Sequence, residues 1–157
     1  MLREIDGFPA DEGFTMPAEF SPHDGTIMIY PTRPGSWGKD RTDTLESFEA
    51  IFGEILKREK LYLIVSKEYF SEAKLITDEL ILNESECVLD RQRLRNRFKL
   101  IVMESDDAWA RDVGPTFVRD GKGRIRGINW RFNAWGGDVD GLYKNWERDG
   151  SIHLIYK

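Results

Sequence analysis

Apolar residues recur along this chain with two different periods, and the switches between them mark the elements. Residues 26–30 form a short apolar run closed by Pro31 and the Pro34-Gly35 pair, which predicts a buried strand ending in a turn. From Asp43 the period lengthens. Leu45, Phe48, Ile51, Phe52, Ile55 and Leu56 follow at steps of three and four, which predicts a helix with one face on a core. Asp43 followed by Glu46 resembles a capping box at its start. Residues 61–65 read as a second buried strand. Residues 68–82 read as a second helix with Leu75, Ile76, Leu80 and Ile81 on its inner face.

Beyond that helix the pattern is weaker. Residues 86–90, around Cys87, read as a short strand. Arg91 to Arg97 holds four arginines in seven residues and reads as a solvated turn, with a nucleic-acid patch as the sharper alternative. Residues 98–103 are a third strand. Residues 116–119 and 124–130 flank Asp120-Gly121-Lys122-Gly123, a hairpin signal because glycine takes positive φ at no steric cost. Residues 6–22, rich in Gly, Pro and acidic side chains, read as an ordered coil or arm. Alternating strands and helices followed by a hairpin predict an α/β chain built from βαβ units with right-handed crossovers.

Composition narrows the function classes. The chain has 157 residues, 40% of them apolar, enough for one compact domain with a core. Its net charge of −5 argues against a general nucleic-acid surface and suits a cationic ligand better. A single cysteine, Cys87, allows no disulfide within the chain and fits a reducing compartment. The first six residues are acidic and lack the apolar stretch of a signal peptide, and no run approaches the about 20 apolar residues of a membrane span. The expectation is a cytoplasmic protein that binds neither nucleic acid nor membrane.

Two segments carry candidate chemistry. The first, directly after the third strand, packs Glu104, Asp106, Asp107, Trp109, Arg111 and Asp112 before the Gly114-Pro115 turn. Loops at the C-terminal ends of strands are where α/β proteins place ligands. The second, after the hairpin, sets Trp130 and Trp135 beside Gly136 and Gly137, suggesting a flat wall with room for close backbone approach. Carboxylates facing an indole suit a planar cation: a guanidinium offers its N–H donors in a fixed fork, and an aromatic face adds cation–π attraction of about 0.5–2 kcal/mol. Blander readings stand beside this one. Trp109 could be core, Arg111 could pair internally with Asp112, and the acidic cluster could hold Mg²⁺ or Ca²⁺, although no EF-hand-like spacing appears. His23 and His153 read as structural, and Cys87 as a small hydrophobe rather than a nucleophile.

Three motifs in this order resemble the agmatine deiminase family, related to bacterial peptidyl-arginine deiminases. They are Met16-Pro17-Ala18-Glu19-Phe20 with Pro22-His23, then Asp106-Asp107-Ala108-Trp109-Ala110-Arg111-Asp112-Val113-Gly114-Pro115-Thr116-Phe117, then Phe132-Asn133-Ala134-Trp135-Gly136-Gly137. The resemblance implies a pentein fold, an α/β propeller of ββαβ-type modules, of which this chain holds about two of five. It implies hydrolysis of agmatine to N-carbamoylputrescine and ammonia, a step towards putrescine, with no metal or organic cofactor. It also implies that a cysteine thiolate attacks the guanidinium carbon, that a histidine acts as acid/base and that carboxylates hold the guanidinium nitrogens. By their match to the motifs, Asp112 is the guanidinium-holding aspartate and Trp109 a substrate-lining indole. Asp106, Asp107 and Arg111 shape the loop, and Trp135, Gly136 and Gly137 pack near the funnel.

The sequence departs from the family in length and in its last residues. The family's late cysteine and its Gly-His-x-Asp segment have no counterpart, because Cys87 falls in the wrong module. Residues 150–157 are an atypical tail that reads as truncated or frameshifted. The expectation is therefore the N-terminal part of such an enzyme, residues 1–157 as one partial domain, inactive alone. Three outcomes remain open: one half of a split enzyme completed by a C-terminal polypeptide, a module with residual guanidinium affinity, or a remnant that self-associates through exposed strand edges.

Overall fold

The computed structural model describes residues 5–38 and 40–156, with side chains described through Ile152. Within them the chain divides into two compact units, Asp24–Ala110 and the pair Met1–His23 with Arg111–Lys157.

Asp24–Ala110 is built on a three-stranded parallel sheet in the order β1-β2-β3. β1 (Gly25–Ile29) leads to α1 (Thr42–Arg58), β2 (Lys60–Val65), a single 3-10 turn (Lys67–Tyr69), α2 (Phe70–Glu84), α3 (Val88–Arg97) and β3 (Phe98–Val102). Thr26 pairs with Leu61, and Leu61 in turn with Phe98, which sets the register. The central strand explains the fold. Leu61, Leu63, Ile64 and Val65 are all buried, the near-continuous apolar run expected of a parallel strand covered on both faces. Gly25 is required where β1 meets β2, since a Cβ there would stand 2.6 Å from the carbonyl oxygen of Lys60.

The α1 stripe packs as the periodicity predicts, with Phe52 and Leu56 in the core and Leu45, Phe48 and Ile55 against it. Ile51 lies at the stripe's margin and is 46% exposed. The capping box does not form. Arg41 occupies the N-cap position with a left-handed φ of 63°, so Asp43 falls inside the first turn, and the Asp40 carboxylate accepts from the N–H of Thr42 instead. In α2 the inner face is Ala73, Thr77 and Ile81, flanked by Ile76 and Leu80, while Leu75 points outward at 60% exposure.

The largest correction concerns residues 86–97. They form neither a strand nor a turn: exposed Cys87 is the extended N-cap of α3, whose one buried residue is Leu94. One apolar anchor leaves no periodic signal, but Arg, Gln and Leu are good helix formers. Arg97 also has a structural task, donating to the carbonyls of Leu56 (3.0 Å) and Lys57 (2.7 Å) at the C-terminus of α1.

The other unit is held differently. Its arm is a 3-10 turn (Pro9–Glu12) followed by a bridge in which Thr15 and Arg119 exchange backbone hydrogen bonds. The chain enters this unit within α4 (Ala110–Val113) and forms the antiparallel hairpin of β4 (Thr116–Arg119) and β5 (Ile125–Ile128). Gly123 supplies the positive φ of the turn, and Asp120 accepts from the backbone of Lys122 and Arg124 and from Arg124 Nε. Burial pushes the Asp120 carboxyl up, but these bonds outweigh it and hold it below its ordinary value. Phe14 lies under the guanidinium groups of Arg124 and Arg126, and Arg126 forms a two-pronged pair with Glu12. A short helix α5 (Gly137–Asp140) and a 3-10 stretch (Asp149–Tyr156) complete the unit. The first four residues, Lys157 and the side chains from residue 153 onward lie outside the described residues, and with them the readings of the leader, of the end of the tail and of His153. No helix among the described residues is long and apolar enough to cross a membrane.

Candidate functional site

The acidic loop after β3 is more ordered than its charge suggests. Glu104 accepts from the N–H of Lys67, tying the loop to the turn after β2. The backbone carbonyl of Asp106 accepts from Arg33. Asp107 is almost fully buried at 1% exposure, and its carboxylate accepts from Trp37 Nε1 (2.6 Å), Ser36 Oγ (3.0 Å) and the N–H of Ala108 (2.8 Å). Trp109 is half-buried, with its ring centroid 5.3 Å from that of Trp37 at an interplanar angle of 38°. Trp37 meets Phe48 edge-on, and Phe48 meets Phe52 in the same manner. A ladder of rings therefore runs from the loop into the core of its own unit.

Trp37 was not among the candidates drawn from the sequence. The available signal was an indole inside a Pro-Gly-Ser turn, a costly residue to place in a loop unless something holds it. The segment carrying it is closed at its far end by Arg41, which donates to the carbonyl of Pro31 and to both oxygens of Glu72 and lies over the Tyr69 ring. Buried Tyr30 donates to the same Glu72 at 2.6 Å. Burial first, and the Glu72 hydrogen bond second, push the Tyr30 phenol far above its ordinary value.

In the other unit, Asp112 is half-buried in α4, and its Oδ1 accepts from Trp135 Nε1 at 3.2 Å. No donor among the described residues reaches its second oxygen. Arg111 does not pair with Asp112: it reaches Glu19 of the arm, and both partners are well exposed, so the pair contributes about 0–1 kcal/mol. The loop that presents Trp135 is strained. Ala134 and Trp135 both have positive φ, 52° and 64°, in a region that costs a non-glycine residue about 1–3 kcal/mol. Gly136 and Gly137 make that turn possible. Gly137 has φ of 61°, and a Cβ on Gly136 would collide with the backbone of Asp140 and Gly141. Trp135 meets Phe132 and Tyr143 edge-on at 5.1 and 6.2 Å, and Tyr143 donates to fully buried Asp149 at 2.8 Å. Trp130 is held apart from this cluster, donating to Thr116 Oγ1. His23 Nδ1 lies 3.1 Å from the carbonyl of Ser21.

These arrangements supply a half-buried carboxylate with one oxygen engaged by an indole, and a second indole braced on a ring ladder. Comparison with known proteins gives them a context. The family described as Porphyromonas-type peptidyl-arginine deiminase matches residues 15–154. The chain belongs to this family.

Within the peptidyl-arginine deiminase family, the chain is 45% identical over 144 residues to a Selenomonas ruminantium protein named "Putative agmatine deiminase", covering 92% of this chain and 35% of that protein. It is 37% identical, with the same coverage of both, to the agmatine deiminase of Stutzerimonas stutzeri. The structure superposes on the agmatine deiminase of Enterococcus faecalis with a TM-score of 0.79 at 33% identity, covering 98% of this chain and 37% of that one. The fold is accordingly a partial pentein fold, and the chain spans about a third of the length of the relatives it matches. The matched residues 15–154 include all three motifs.

Proposed function

We propose that this chain carries the N-terminal part of an agmatine deiminase site, with Asp112 accepting from the guanidinium N–H groups and Trp109 lining the substrate. The observation that carries the reading is Asp112: a half-buried carboxylate, fixed through one oxygen by Trp135, with the other reached by no donor among the described residues. A guanidinium N–H donating to that oxygen forms a charge-assisted hydrogen bond, about twice as strong as a neutral one. The strain at Ala134 and Trp135 supports the reading, since non-glycine residues with positive φ cluster at sites where geometry is held for a purpose.

On this reading the whole protein converts agmatine and water to N-carbamoylputrescine and ammonia. A thiolate adds to the guanidinium carbon, a nitrogen leaves as ammonia after taking a proton from a histidine, and water then displaces the thiolate. Asp112 keeps the guanidinium oriented and charged, which makes its carbon more electrophilic. Cys87 is not that thiolate. It is an exposed N-cap at the start of α3, and the family motifs leave it without a role. The nucleophile and the histidine come from the rest of the protein, and this chain acts in the cytoplasm on a small cationic substrate.

The test is ammonia release from agmatine by the purified chain, with and without a polypeptide supplying the remaining two thirds of the family's length. Release only from the mixture, abolished by Asp112→Asn, is the expected result. Release by the chain alone, or a mixture whose activity survives Asp112→Asn, would overturn the assignment.

A further inference from the structure

The ring ladder after β3 assigns a task to a residue that the family motifs leave out. Trp109 sits in a loop, and a loop side chain keeps one orientation only if packing and hydrogen bonds fix it. Here the support is Trp37. Its indole lies 5.3 Å from Trp109 on one side and 5.7 Å from Phe48, edge-on, on the other. Its N–H ends on the buried Asp107 carboxylate, and its carbonyl accepts from Thr44 Oγ1 at the start of α1. Asp107 lies two residues from Trp109 and grips the same turn a second time through Ser36. The buried carboxylate and the two indoles therefore form one closed unit: Asp107 fixes Trp37, and Trp37 fixes the plane of Trp109.

We propose that Trp37 and Asp107 are positioning residues for the Trp109 ring, acting on a guanidinium substrate through Trp109 and not by contact with it. The inference rests on the reading of Trp109 as substrate-lining, but the positioning itself can be tested without it. A misplaced ring face weakens a cation–π contact, because that attraction depends on the cation standing over the ring. The bonds that Asp107 accepts from Trp37, Ser36 and the N–H of Ala108 come from neutral donors and do not require its negative charge. An asparagine can keep its oxygen towards Trp37 and the N–H of Ala108 and turn its NH₂ towards the Ser36 hydroxyl, which can accept. An alanine can do neither.

The experiment compares the chain with its Asp107→Asn, Asp107→Ala and Trp37→Leu variants by two readouts, the exciton couplet of the indole pair in circular dichroism and agmatine affinity by calorimetry. Asp107→Asn is expected to keep the couplet and to bind within about threefold of the parent. Asp107→Ala is expected to lose the couplet and about tenfold in affinity, the change set by about one good cation–π contact. Trp37→Leu removes one chromophore, so it is read by affinity alone, and the same loss is expected. If Asp107→Asn weakens binding as much as Asp107→Ala while the couplet persists, Asp107 acts by its charge and the proposal fails. It fails equally if Asp107→Ala leaves the couplet intact. Should the parent chain bind no agmatine, the site reading is what fails, and the couplet still decides whether Asp107 holds the pair.

Discussion

Between residues 24 and 110 the chain closes around Phe52, Leu56, Leu61, Leu63 and Val65, all within 2% of full burial, with two long helices against a parallel sheet. Among the described side chains, residues 5–23 with 111–152 bury fewer and more scattered apolar groups, among them Phe14, Val113, Val118, Tyr143 and Ile152. They rely instead on the Glu12–Arg126 and Asp120–Arg124 pairs and on guanidinium groups over Phe14, and they carry a loop with two non-glycine residues at positive φ. The first unit is stabilised by area removed from water, which tolerates many sequences. The second depends on particular bonds and bears the cost of a strained loop, a combination that few sequences reproduce. The residue proposed to hold the substrate's charge belongs to the second.

That contrast can be broken by mutation. Phe52→Ala should have the largest effect, removing a fully buried ring from the core of residues 24–110 and costing about 3–5 kcal/mol in a denaturant titration. Tyr143→Phe should cost about 1–3 kcal/mol, because it takes a donor from fully buried Asp149. Hydrogen exchange should place that loss in residues 111–156. Ala134→Gly should be nearly neutral, within about 1 kcal/mol, because relief of the φ of 52° offsets the loss of a fully buried methyl and the freer unfolded chain. A loss of more than about 2 kcal/mol, the full cost of the methyl and the chain entropy, would show that no strain is relieved there.

The smallest effect is electrostatic. Burial, followed by the nearby charges of Glu46 and Glu79, raises the Glu49 carboxyl above its ordinary value. A raised folded-state value means that the native state holds the proton more tightly than the unfolded chain. Stability from this group is therefore present at low pH and lost as pH rises through the glutamate range. Glu49→Gln should raise the melting temperature slightly at neutral pH and make no difference in acid. A stabilisation that persists in acid would rule out the charge as its cause.

The same division explains what was legible in the sequence. β1, β2, β3, α1 and the hairpin follow from periodicity and turn residues because each carries its apolar pattern or turn signal within its own residues. α3 escaped because Leu94 is its one buried anchor among arginines. The capping box at Asp43 failed because the chain enters α1 through a left-handed Arg41, a tertiary choice backed by the bonds of Arg41 to Pro31 and Glu72. At the site, the motifs named Asp106, Asp107, Trp109, Arg111, Asp112, Trp135, Gly136 and Gly137, but not what each touches. Arg111 reaches Glu19, 92 positions away, and Asp107 accepts from Trp37, 70 positions away. Pairings over such separations leave no mark in local spacing.

The central claim is that Asp112 holds a guanidinium, and the most direct test is calorimetric titration of the chain with agmatine and with putrescine, repeated on Asp112→Asn. The account predicts that agmatine binds, that putrescine, which lacks the guanidinium, binds far more weakly, and that Asp112→Asn weakens agmatine by about ten- to a hundredfold, the worth of one hydrogen bond to a charged group. Equal binding of agmatine by Asp112→Asn would contradict it.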